Sequence, residues 1–397
     1  MKKKILIVSH AMELGGAERS LLGLLEAIDT EKYQVDLFLL RHEGELLSLL
    51  PDKVNLLPEI PAYTALARPM VQVLKEGHVL LCAARLFGKV KAFFYNKARH
   101  YTESGVALEY SHKYTCPFMP AIVPDTAYDA AISFLTPHYM VAKKVRAKKK
   151  IAWIHTDYTK VQVDVKSELK MWNAYDTIAA VSEAVAEGFC RIFSSLKNKV
   201  TVIENILPQK AIEKQAAESV ATGMDDSCIK LLSIGRFCTA KNFDNVPDIC
   251  RRILQSGLNV KWYLIGFGPD ENLIRQKIKE AGMEDRVIIL GKKSNPYPYI
   301  KCCDLYVQPS RYEGKSVSVR EAQMLGKPVV ITNFATSASQ LENGIDGIVV
   351  PIENDKCAQG IVQLLGQKEL KNLLTINTKK KDYSNFVAIE KVYKLFS

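Results

Sequence analysis

Two glutamates, Glu313 and Glu321, lie in a stretch whose residue types could bind a phosphorylated sugar. Around them the pattern predicts a strand, a loop with Gly314, a helix that carries Glu321, and a second strand. A loop that leads into a helix presents free N–H groups and the positive end of the helix dipole, which favours phosphate. Two acids on a helix are usually surface charge, but this strand–loop–helix–strand order favours carboxylates that accept hydrogen bonds from sugar or ribose hydroxyls.

Two cations follow another predicted strand, residues 230–235. Arg236 comes at the end of this strand, and Lys241 follows five residues later. Arginine offers a planar fork of donors and lysine a point charge, so the pair suits a diphosphate. Solvated surface charge is the alternative, and the strand-end position favours the phosphate site.

His155 directly follows the predicted strand 151–154. In open α/β sheets ligands bind at the carboxyl ends of strands, so this position favours a site residue. A single histidine is more often a structural residue, which remains the alternative. The nearby Asp157 could orient the imidazole ring, or it could cap the segment that follows.

Pairs of glycines follow two further predicted strands. Gly15 and Gly16 come after the strand 5–8, where the backbone must turn sharply or approach a ligand closely. The spacing G-x-G-x-x-G is missing, so a dinucleotide fingerprint is weak and a plain helix-start turn is an equal alternative. Gly266 and Gly268 form a predicted tight turn after the strand 260–265.

The order of predicted elements is typical of two parallel, doubly wound α/β domains. Strand–helix–strand units occur in both halves of the 397-residue chain. We place a first domain at residues 1–206, a polar, alanine-rich linker at 207–227, and a second domain at 228–382. An amphipathic helix is predicted at 383–397.

The stretch from Glu313 resembles a known enzyme family. Glu313-Gly314 with Glu321-Ala322, followed by the residues GKPVV at 326–330, resembles the E-x7-E signature of retaining glycosyltransferases of family 4, which have the GT-B fold. The resemblance implies two facing Rossmann-like domains with an interdomain cleft, and a last helix that packs back onto the N-terminal domain. It also implies a nucleotide diphosphate sugar as donor, with UDP as the expected nucleotide, and transfer with retention of anomeric configuration.

The resemblance also implies roles for individual residues. Arg236 and Lys241 would hold the diphosphate and balance the charge that develops on the leaving group. Glu313 would accept hydrogen bonds from the sugar and Glu321 from the ribose, while His155 would contact the sugar from the first domain.

Loop residues receive implied roles as well. The loop that begins at Gly15 and Gly16 would face the donor phosphates and the acceptor, and the loop with Gly266 and Gly268 would lie near the nucleotide. The remaining implied contacts are Lys293 in the loop 292–296 near the base, and backbone N–H groups on the distal phosphate from Lys315, Ser316 and Val317. Lys315 departs from the family, which often has an aromatic or aliphatic residue there, and it could reach a phosphate or an acidic sugar.

Composition narrows the class of protein further. The formal net charge is +11, which suits nucleic acid, anionic lipid or phosphorylated substrates. Nine cysteines without paired C-x-x-C spacing indicate a reduced, cytoplasmic chain and disfavour zinc.

No Asp-x-Asp pair occurs, and side chains can neutralise the phosphates, so neither a metal nor another cofactor is expected. We expect neither a signal peptide nor a spanning segment.

Residues 68–101 combine basic and bulky apolar side chains. Seven Lys or Arg stand against one acid, Glu76. Apolar residues recur at helical spacing: Val79, Ala83, Leu86, Val90 and Phe93, with Phe87, Phe94 and Tyr95 alongside. Such a helix could lie on an anionic membrane surface or could pack against its own sheet. Single-stranded nucleic acid is a third possibility, but no nucleic-acid module accompanies the segment.

The resembled enzymes of bacterial capsule and exopolysaccharide assembly commonly use lipid-linked oligosaccharide acceptors at the cytoplasmic membrane face. The sequence therefore predicts a cytoplasmic glycosyltransferase with peripheral membrane contact as a hypothesis. Two other classes remain open: a Rossmann oxidoreductase, and a non-catalytic protein that binds nucleotide or nucleic acid. The oxidoreductase would need G-x-G-x-x-G after the first strand and an acid after the second, where the chain instead reads Leu39-Leu40-Arg41.

Overall fold

A computed structural model of the chain describes residues 2–66, 68–102 and 104–396. Ser397, at the end of the predicted last helix, lies outside the described residues. The chain forms two compact units. The first contains the residues up to Ile206 together with those from Phe386 onward, and the second contains Leu207–Asn385.

The first unit is built on a seven-stranded parallel sheet with the order β3-β2-β1-β4-β5-β6-β7. Its central strands are continuous apolar runs, as expected where helices cover both faces of a sheet; Ile5, Leu6 and Ile7 are fully buried. The strands are β1 (Lys3–Ser9), β2 (Tyr33–Leu39), β3 (Asn55–Leu56), β4 (Tyr128–Ser133), β5 (Ala147–Ile154), β6 (Thr177–Ala180) and β7 (Val200–Val202).

Helices connect these strands. Ser182 caps one of them, because its hydroxyl accepts a hydrogen bond from the Val185 N–H at 3.2 Å. The helices are α1 (Gly16–Ala27), α2 (Pro61–Thr64), α3 (Met70–Lys75), α4 (Val79–Arg99), α5 (Val106–Thr115), α6 (Tyr139–Lys144), α7 (Val165–Trp172) and α8 (Glu183–Ile192).

The second unit repeats this plan with a six-stranded parallel sheet, in the order β10-β9-β8-β11-β12-β13. Each half of the sheet winds outward from its first strand, as in Rossmann-type sheets. The predicted α/β class with two Rossmann-like domains is confirmed. The strands are β8 (Ile229–Ile234), β9 (Val260–Ile265), β10 (Val287–Gly291), β11 (Leu305–Gln308), β12 (Val329–Thr332) and β13 (Ile348–Val350).

The second unit begins earlier than the sequence suggested. Residues 207–227, which we expected to form a linker, include a helix whose Ile212 and Ala216 are buried in the core of this unit. Ala216 packs into this core with its small side chain whereas Ala217 is exposed, so an alanine-rich composition does not by itself mark an exposed connection. The helices are α9 (Gln209–Glu218), α10 (Val246–Gln255), α11 (Glu271–Glu280), α12 (Tyr297–Cys302), α13 (Val317–Met324), α14 (Ser337–Gln340), α15 (Asn354–Gly366) and α16 (Lys368–Lys380).

The last helix, α17 (Ile389–Leu395), packs on the first unit. The ring of Tyr393 stacks on Tyr33 with 5.0 Å between centroids, and its hydroxyl accepts a hydrogen bond from the Asp29 N–H at 2.7 Å. Within residues 2–66, 68–102 and 104–396, no helix combines the length and the apolar character that crossing a bilayer requires.

Candidate functional site

Four strand ends meet at one edge of the sheet in the second unit, because parallel strands all end on the same side. The Gly235 N–H donates to the Ile265 carbonyl at 3.0 Å, and the Gly266 N–H donates to the Gly291 carbonyl at 3.0 Å. These bonds hold the loops after β8, β9 and β10 side by side. The predicted site residues of this half of the chain follow these strands and β11.

Gly266 and Gly268 allow two of these loops to approach each other. A Cβ atom on Gly266 would lie 1.9 Å from the Gly235 carbonyl oxygen, and one on Gly268 would lie 2.3 Å from the Phe237 oxygen. Both distances are far below van der Waals contact, so neither position accepts a side chain without movement of the backbone. The two glycines are therefore required by loop packing at the mouth of the site.

Lys241 and Glu313 form a largely buried ion pair at this edge of the sheet. Lys241 Nζ donates a hydrogen bond to Glu313 Oε1 at 2.5 Å, and the Ser310 hydroxyl donates to the same oxygen at 2.7 Å. Only 17% of the Lys241 side chain and 11% of the Glu313 side chain are exposed. A cation and a carboxylate predicted to bind different parts of a donor thus contact each other directly.

Two further residues fix the turn that carries Lys241. Asn242 adopts φ = +60°, and its side-chain amide donates to the Pro309 carbonyl at 2.9 Å. Arg311 forms a bidentate ion pair with Asp244 at 2.9 and 2.7 Å and also donates to the Thr239 carbonyl at 2.7 Å. The loop after β8 is therefore fastened to the loop after β11, which carries Glu313.

The loop 313–316 is held from its other side by residues 336–340. The Thr336 hydroxyl donates to the Glu313 carbonyl at 2.8 Å. The Ser316 N–H donates to Gln340 Oε1 at 2.6 Å, and Gln340 Nε2 donates to the Ser316 carbonyl at 3.1 Å. This two-way bond fixes the backbone just before α13. A phosphate that binds the Ser316 N–H would have to displace Gln340 from it.

Lys315 donates a hydrogen bond through Nζ to the Ser339 carbonyl. The structure therefore gives this lysine an anchoring contact inside the protein, whereas the sequence suggested a reach toward a phosphate or an acidic sugar. Gly314 lies between this anchor and Glu313, and Val317 is buried as the first residue of α13.

Glu321 lies on α13 and is almost completely buried, with 1% exposed. The Tyr297 hydroxyl donates to Glu321 Oε1 at 2.9 Å. Tyr297 opens α12, which follows the loop 292–296, so this hydrogen bond links α13 to the helix that follows the loop predicted to lie near the base.

The two other predicted cations at this edge differ in their surroundings. Arg236 is exposed, and no hydrogen bond or ion pair joins it to another described residue. Lys293 lies in the loop after β10, with Nζ 5.4 Å from the centre of the Tyr299 ring, a cation–π distance. Arg236 can therefore turn toward a ligand without breaking an ion pair of its own.

His155 lies in the first unit, at the carboxyl end of β5 as predicted. Its ring is 4.7 Å from the Phe134 ring, and its Nε2 is buried without a hydrogen-bond partner among the described residues. Burial lowers the pKa of His155 to about 4, so the imidazole is neutral at pH 7. Asp157 does not orient it: its carboxylate accepts bonds from the Thr159 N–H and hydroxyl, so Asp157 caps the next turn.

Gly15 and Gly16 mark the start of α1 in the first unit, with Gly15 as the N-cap residue. A Cβ atom on Gly15 would lie 2.1 Å from Glu18 Oε2, so the Glu18 carboxylate folds back against Gly15. Burial raises the pKa of Glu18 to about 7. A titratable carboxyl group therefore stands at the helix start that the sequence assigned to donor phosphates.

Sequence reasoning missed the residues that hold the loops of the second unit. Arg311 and Asp244 are separated by 67 positions, and Gln340 and Ser316 by 24. Each pair joins two loops, and no short-range spacing reveals such contacts.

The comparisons with known proteins agree with the fold and with the resemblance. The class defined by this architecture is the GT-B glycosyltransferase fold: the crystal structure of a TarM variant from S. aureus, solved with fondaparinux, alpha-GlcNAc-glycerol and UDP, aligns with a TM-score of 0.71. The identity is 13%, and the alignment covers 100% of each chain. Residues 214–381 match the family model described as "Glycosyl transferases group 1".

The match of this family model confirms the predicted glycosyltransferase resemblance for residues 214–381. The matched range contains Arg236, Lys241, Glu313 and Glu321, whereas His155 lies outside it, as do Gly15 and Gly16.

Two curated relatives match about half of the chain. One is the N-acetylgalactosamine-N,N'-diacetylbacillosaminyl-diphospho-undecaprenol 4-alpha-N-acetylgalactosaminyltransferase of Campylobacter jejuni, 27% identical over 198 residues, which are 49% of this chain and 52% of the relative. The other is the UDP-Gal:alpha-D-GlcNAc-diphosphoundecaprenol alpha-1,3-galactosyltransferase of Escherichia coli, 22% identical over 50% of this chain and 53% of the relative. The chain thus spans about half the length of these relatives.

Proposed function

We propose that this chain is a glycosyltransferase that moves a sugar from a nucleotide diphosphate sugar to a glycan or lipid-linked oligosaccharide. The observation that carries the proposal is the buried Lys241–Glu313 pair at the strand-end edge of the second unit, inside the segment that matches the group 1 family. A cation for phosphate and an acceptor for hydroxyls thus stand side by side at the edge of the sheet where α/β proteins bind ligands.

The Lys241–Glu313 ion pair can bind both the diphosphate and the sugar of a donor while the two residues stay in contact. A lysine ammonium has three N–H donors, and one of them occupies Glu313 Oε1. The remaining donors can bind diphosphate oxygens, and Glu313 Oε2 takes part in neither the Lys241 nor the Ser310 bond. In the proposal Lys241 and Arg236 stabilise the negative charge that grows on the leaving diphosphate, a contribution that requires no proton transfer.

The proposal gives the other predicted residues binding roles. Glu321 accepts hydrogen bonds from the ribose. Because the Tyr297 hydroxyl already donates to Glu321 Oε1, the ribose hydroxyls either bind the carboxylate alongside Tyr297 or displace it. From the first unit, neutral His155 exchanges a hydrogen bond with a sugar hydroxyl rather than supplying charge. Lys293 and the glycine loop 266–268 support the nucleotide.

The donor nucleotide is proposed to be UDP and the acceptor a lipid-linked oligosaccharide of surface polysaccharide synthesis. The names of the two relatives, which specify diphospho-undecaprenol-linked substrates and in one case UDP-Gal, support both choices. Retention of configuration and action at the cytoplasmic face of a membrane belong to the same proposal and rest on the resemblance. Independence of a metal ion also belongs to it, and rests on the lack of an Asp-x-Asp pair in the sequence and on Arg236 and Lys241 as cations for the diphosphate.

A thermal-shift panel tests the proposal at the level of donor class. UDP, GDP, ADP, their common sugar conjugates, NAD and a short oligonucleotide are each added with and without EDTA. Stabilisation by UDP or a UDP-sugar that persists in EDTA supports a metal-independent transferase. Stabilisation by NAD or the oligonucleotide, with no response to any nucleoside diphosphate, contradicts it.

A further inference from the structure

Helix α4 packs on α5 through small side chains. Its inward face carries Ala84, Gly88 and Ala92, all buried. A Cβ atom on Gly88 would lie 2.8 Å from the Tyr110 carbonyl oxygen, so the two helices lie in close contact there. Among the bulky residues of α4, Phe87 and Tyr95 also contact α5, with ring centroids 4.9 Å from Tyr114 and 6.0 Å from Tyr110.

The outward face of α4 carries the large apolar residues. They lie at positions 79–80, 86–87, 90 and 93–94, which share one side of the helix, and their exposed fractions range from 47% for Val90 to 65% for Leu80. The set is Val79, Leu80, Leu86, Phe87, Val90, Phe93 and Phe94. The apolar stripe predicted from the sequence therefore does not pack against the unit's own sheet. A contiguous exposed patch of this kind marks an interaction surface.

Positive charge borders the stripe on both sides. An α-helix turns about 100° per residue, so Lys89 and Lys91 project to opposite sides of Val90. On the α5 side, Lys91 Nζ lies 5.2 Å from the centre of the Tyr114 ring, a cation–π distance. Lys97 follows two turns later and is exposed. Glu76, the acid of residues 68–101, precedes α4 and forms an ion pair with Arg68 at 2.5 Å. It therefore does not neutralise the lysines of α4, and the charge of this face is positive.

We propose that this outer face of α4 docks on an anionic lipid bilayer, with the helix axis in the plane of the surface. The apolar side chains enter the boundary between headgroups and acyl chains, and the lysines extend their charges to lipid phosphates. The proposal rests on the proposed function, because a lipid-linked acceptor brings the chain to a membrane. It names the surface that makes the contact.

Charge favours the bilayer over a second copy of this chain. In a symmetric dimer through this face, the positive rims of the two copies would lie against each other. An anionic surface instead attracts each lysine by about 1 kcal/mol, which corresponds to a roughly 5-fold change in affinity per lysine.

Vesicle flotation tests the proposal with three forms of the full chain. Wild type is expected to float with vesicles that contain phosphatidylglycerol and far less with phosphatidylcholine alone. Phe93→Ser/Phe94→Ser is expected to weaken binding at least about 10-fold, because two exposed rings are lost. Lys89→Gln/Lys97→Gln is expected to weaken binding to anionic vesicles roughly 25-fold.

Matched controls come from α16, which carries exposed apolar and basic residues in the second unit. Leu373→Ser/Ile376→Ser, which replaces side chains 48% and 49% exposed, and Lys368→Gln/Lys380→Gln are expected to float as wild type does. Equal flotation of all forms overturns the proposal. So does a dimer in sedimentation that Phe93→Ser/Phe94→Ser dissociates, because that result assigns the face to a second copy.

A UDP thermal shift on the same variants separates this proposal from the proposed function. A UDP response without vesicle binding overturns only the docking surface. Vesicle binding without any nucleotide response supports the surface and contradicts the transferase.

Discussion

Lys241 Nζ and Glu313 Oε1 lie 2.5 Å apart and are largely buried, so the two residues that sequence reasoning assigned to phosphate and sugar form one unit. Removing one partner from such a pair leaves the other charge without compensation in a poorly solvated place. Neither residue can therefore be replaced without an effect on the other, and variants at this position report on both.

Lys241→Ala is expected to weaken UDP binding about 10- to 100-fold, because hydrogen bonds to charged groups contribute about 1.5–3 kcal/mol. Isothermal titration calorimetry measures this change. Lys261 provides a matched control, because it pairs with Asp225 at 2.8 Å at a different place in the same unit. Lys261→Ala should leave UDP affinity unchanged, and an equal loss in both variants would contradict the role of Lys241.

Arg311 is expected to act as a positioning residue for Lys241. Arg311→Lys cannot keep the bidentate bond to Asp244 together with the bond to the Thr239 carbonyl, because lysine lacks the planar fork. The turn with Lys241 then loosens, and we expect a several-fold increase in the UDP Kd. Proteolysis should become faster at residues 239–244.

The control for Arg311 is Arg252→Lys, which alters an ion pair with Asp248 on α10. We expect unchanged UDP affinity for this variant. If Arg311→Lys also binds UDP as wild type does, the link between the two loops has no part in donor binding.

Gly266→Ala is expected to destabilise the second unit by at least about 2 kcal/mol, because its Cβ would lie 1.9 Å from the Gly235 oxygen. The loops after β8 and β9 must separate to admit it, so UDP binding should be lost as well. Urea unfolding and calorimetry measure the two effects. Gly366→Ala is expected to be close to neutral, because no described residue outside the adjacent chain and helix backbone would lie within 4 Å of the added Cβ atom.

The sequence could predict features that depend on local pattern. Apolar strand runs and strand–helix alternation predicted both parallel sheets, and the position of His155 at a strand end agrees with the structure. Local residue type also agrees with the N-cap of α8, because serine, here Ser182, is among the residues that N-cap positions favour.

Features that depend on contacts between distant loops could not be predicted. The Gln340 bond to Ser316 and the Arg311 bond to Asp244 follow from how the loops fold over the sheet edge, not from spacing. The linker was placed wrongly because alanine-rich, polar composition is shared by exposed connections and by helices that pack closely, and only burial of Ile212 and Ala216 distinguishes them.

His155→Ala is expected to lower the transfer rate about 10-fold at pH 7, through loss of one hydrogen bond to the sugar, while the UDP thermal shift stays unchanged. Because burial lowers the pKa of His155 to about 4, protonation should not affect activity between pH 6 and pH 8 through this residue. An NMR titration of its ring proton checks the premise. A pKa near 6.5 would contradict it.

Glu168 is expected to make the first unit less stable as pH rises. It is buried and accepts hydrogen bonds from the Trp172 indole at 3.1 Å and the Tyr158 hydroxyl at 3.2 Å. Burial raises its pKa to about 7, against the lowering effect of these bonds, and the nearby carboxylates of Glu109 and Asp164 raise the pKa further.

The sign follows from proton binding. Below pH 4.5 the group is protonated in both the folded and the unfolded states and has no effect on their difference. Between pH 4.5 and pH 7 the unfolded state loses its proton first, so the free energy of unfolding falls as pH rises and is lowest above pH 7. The total decrease in the free energy of unfolding is on the order of 3 kcal/mol.

Glu168→Gln keeps an acceptor for Trp172 and Tyr158 but cannot ionise. Its melting temperature should therefore exceed that of wild type at pH 8 and match it at pH 4. Glu187→Gln, on the exposed face of α8, should follow wild type at both pH values. A variant that is less stable than wild type at pH 8 would mean that the ionised carboxylate stabilises this network, which would reverse the assigned direction of the pKa shift.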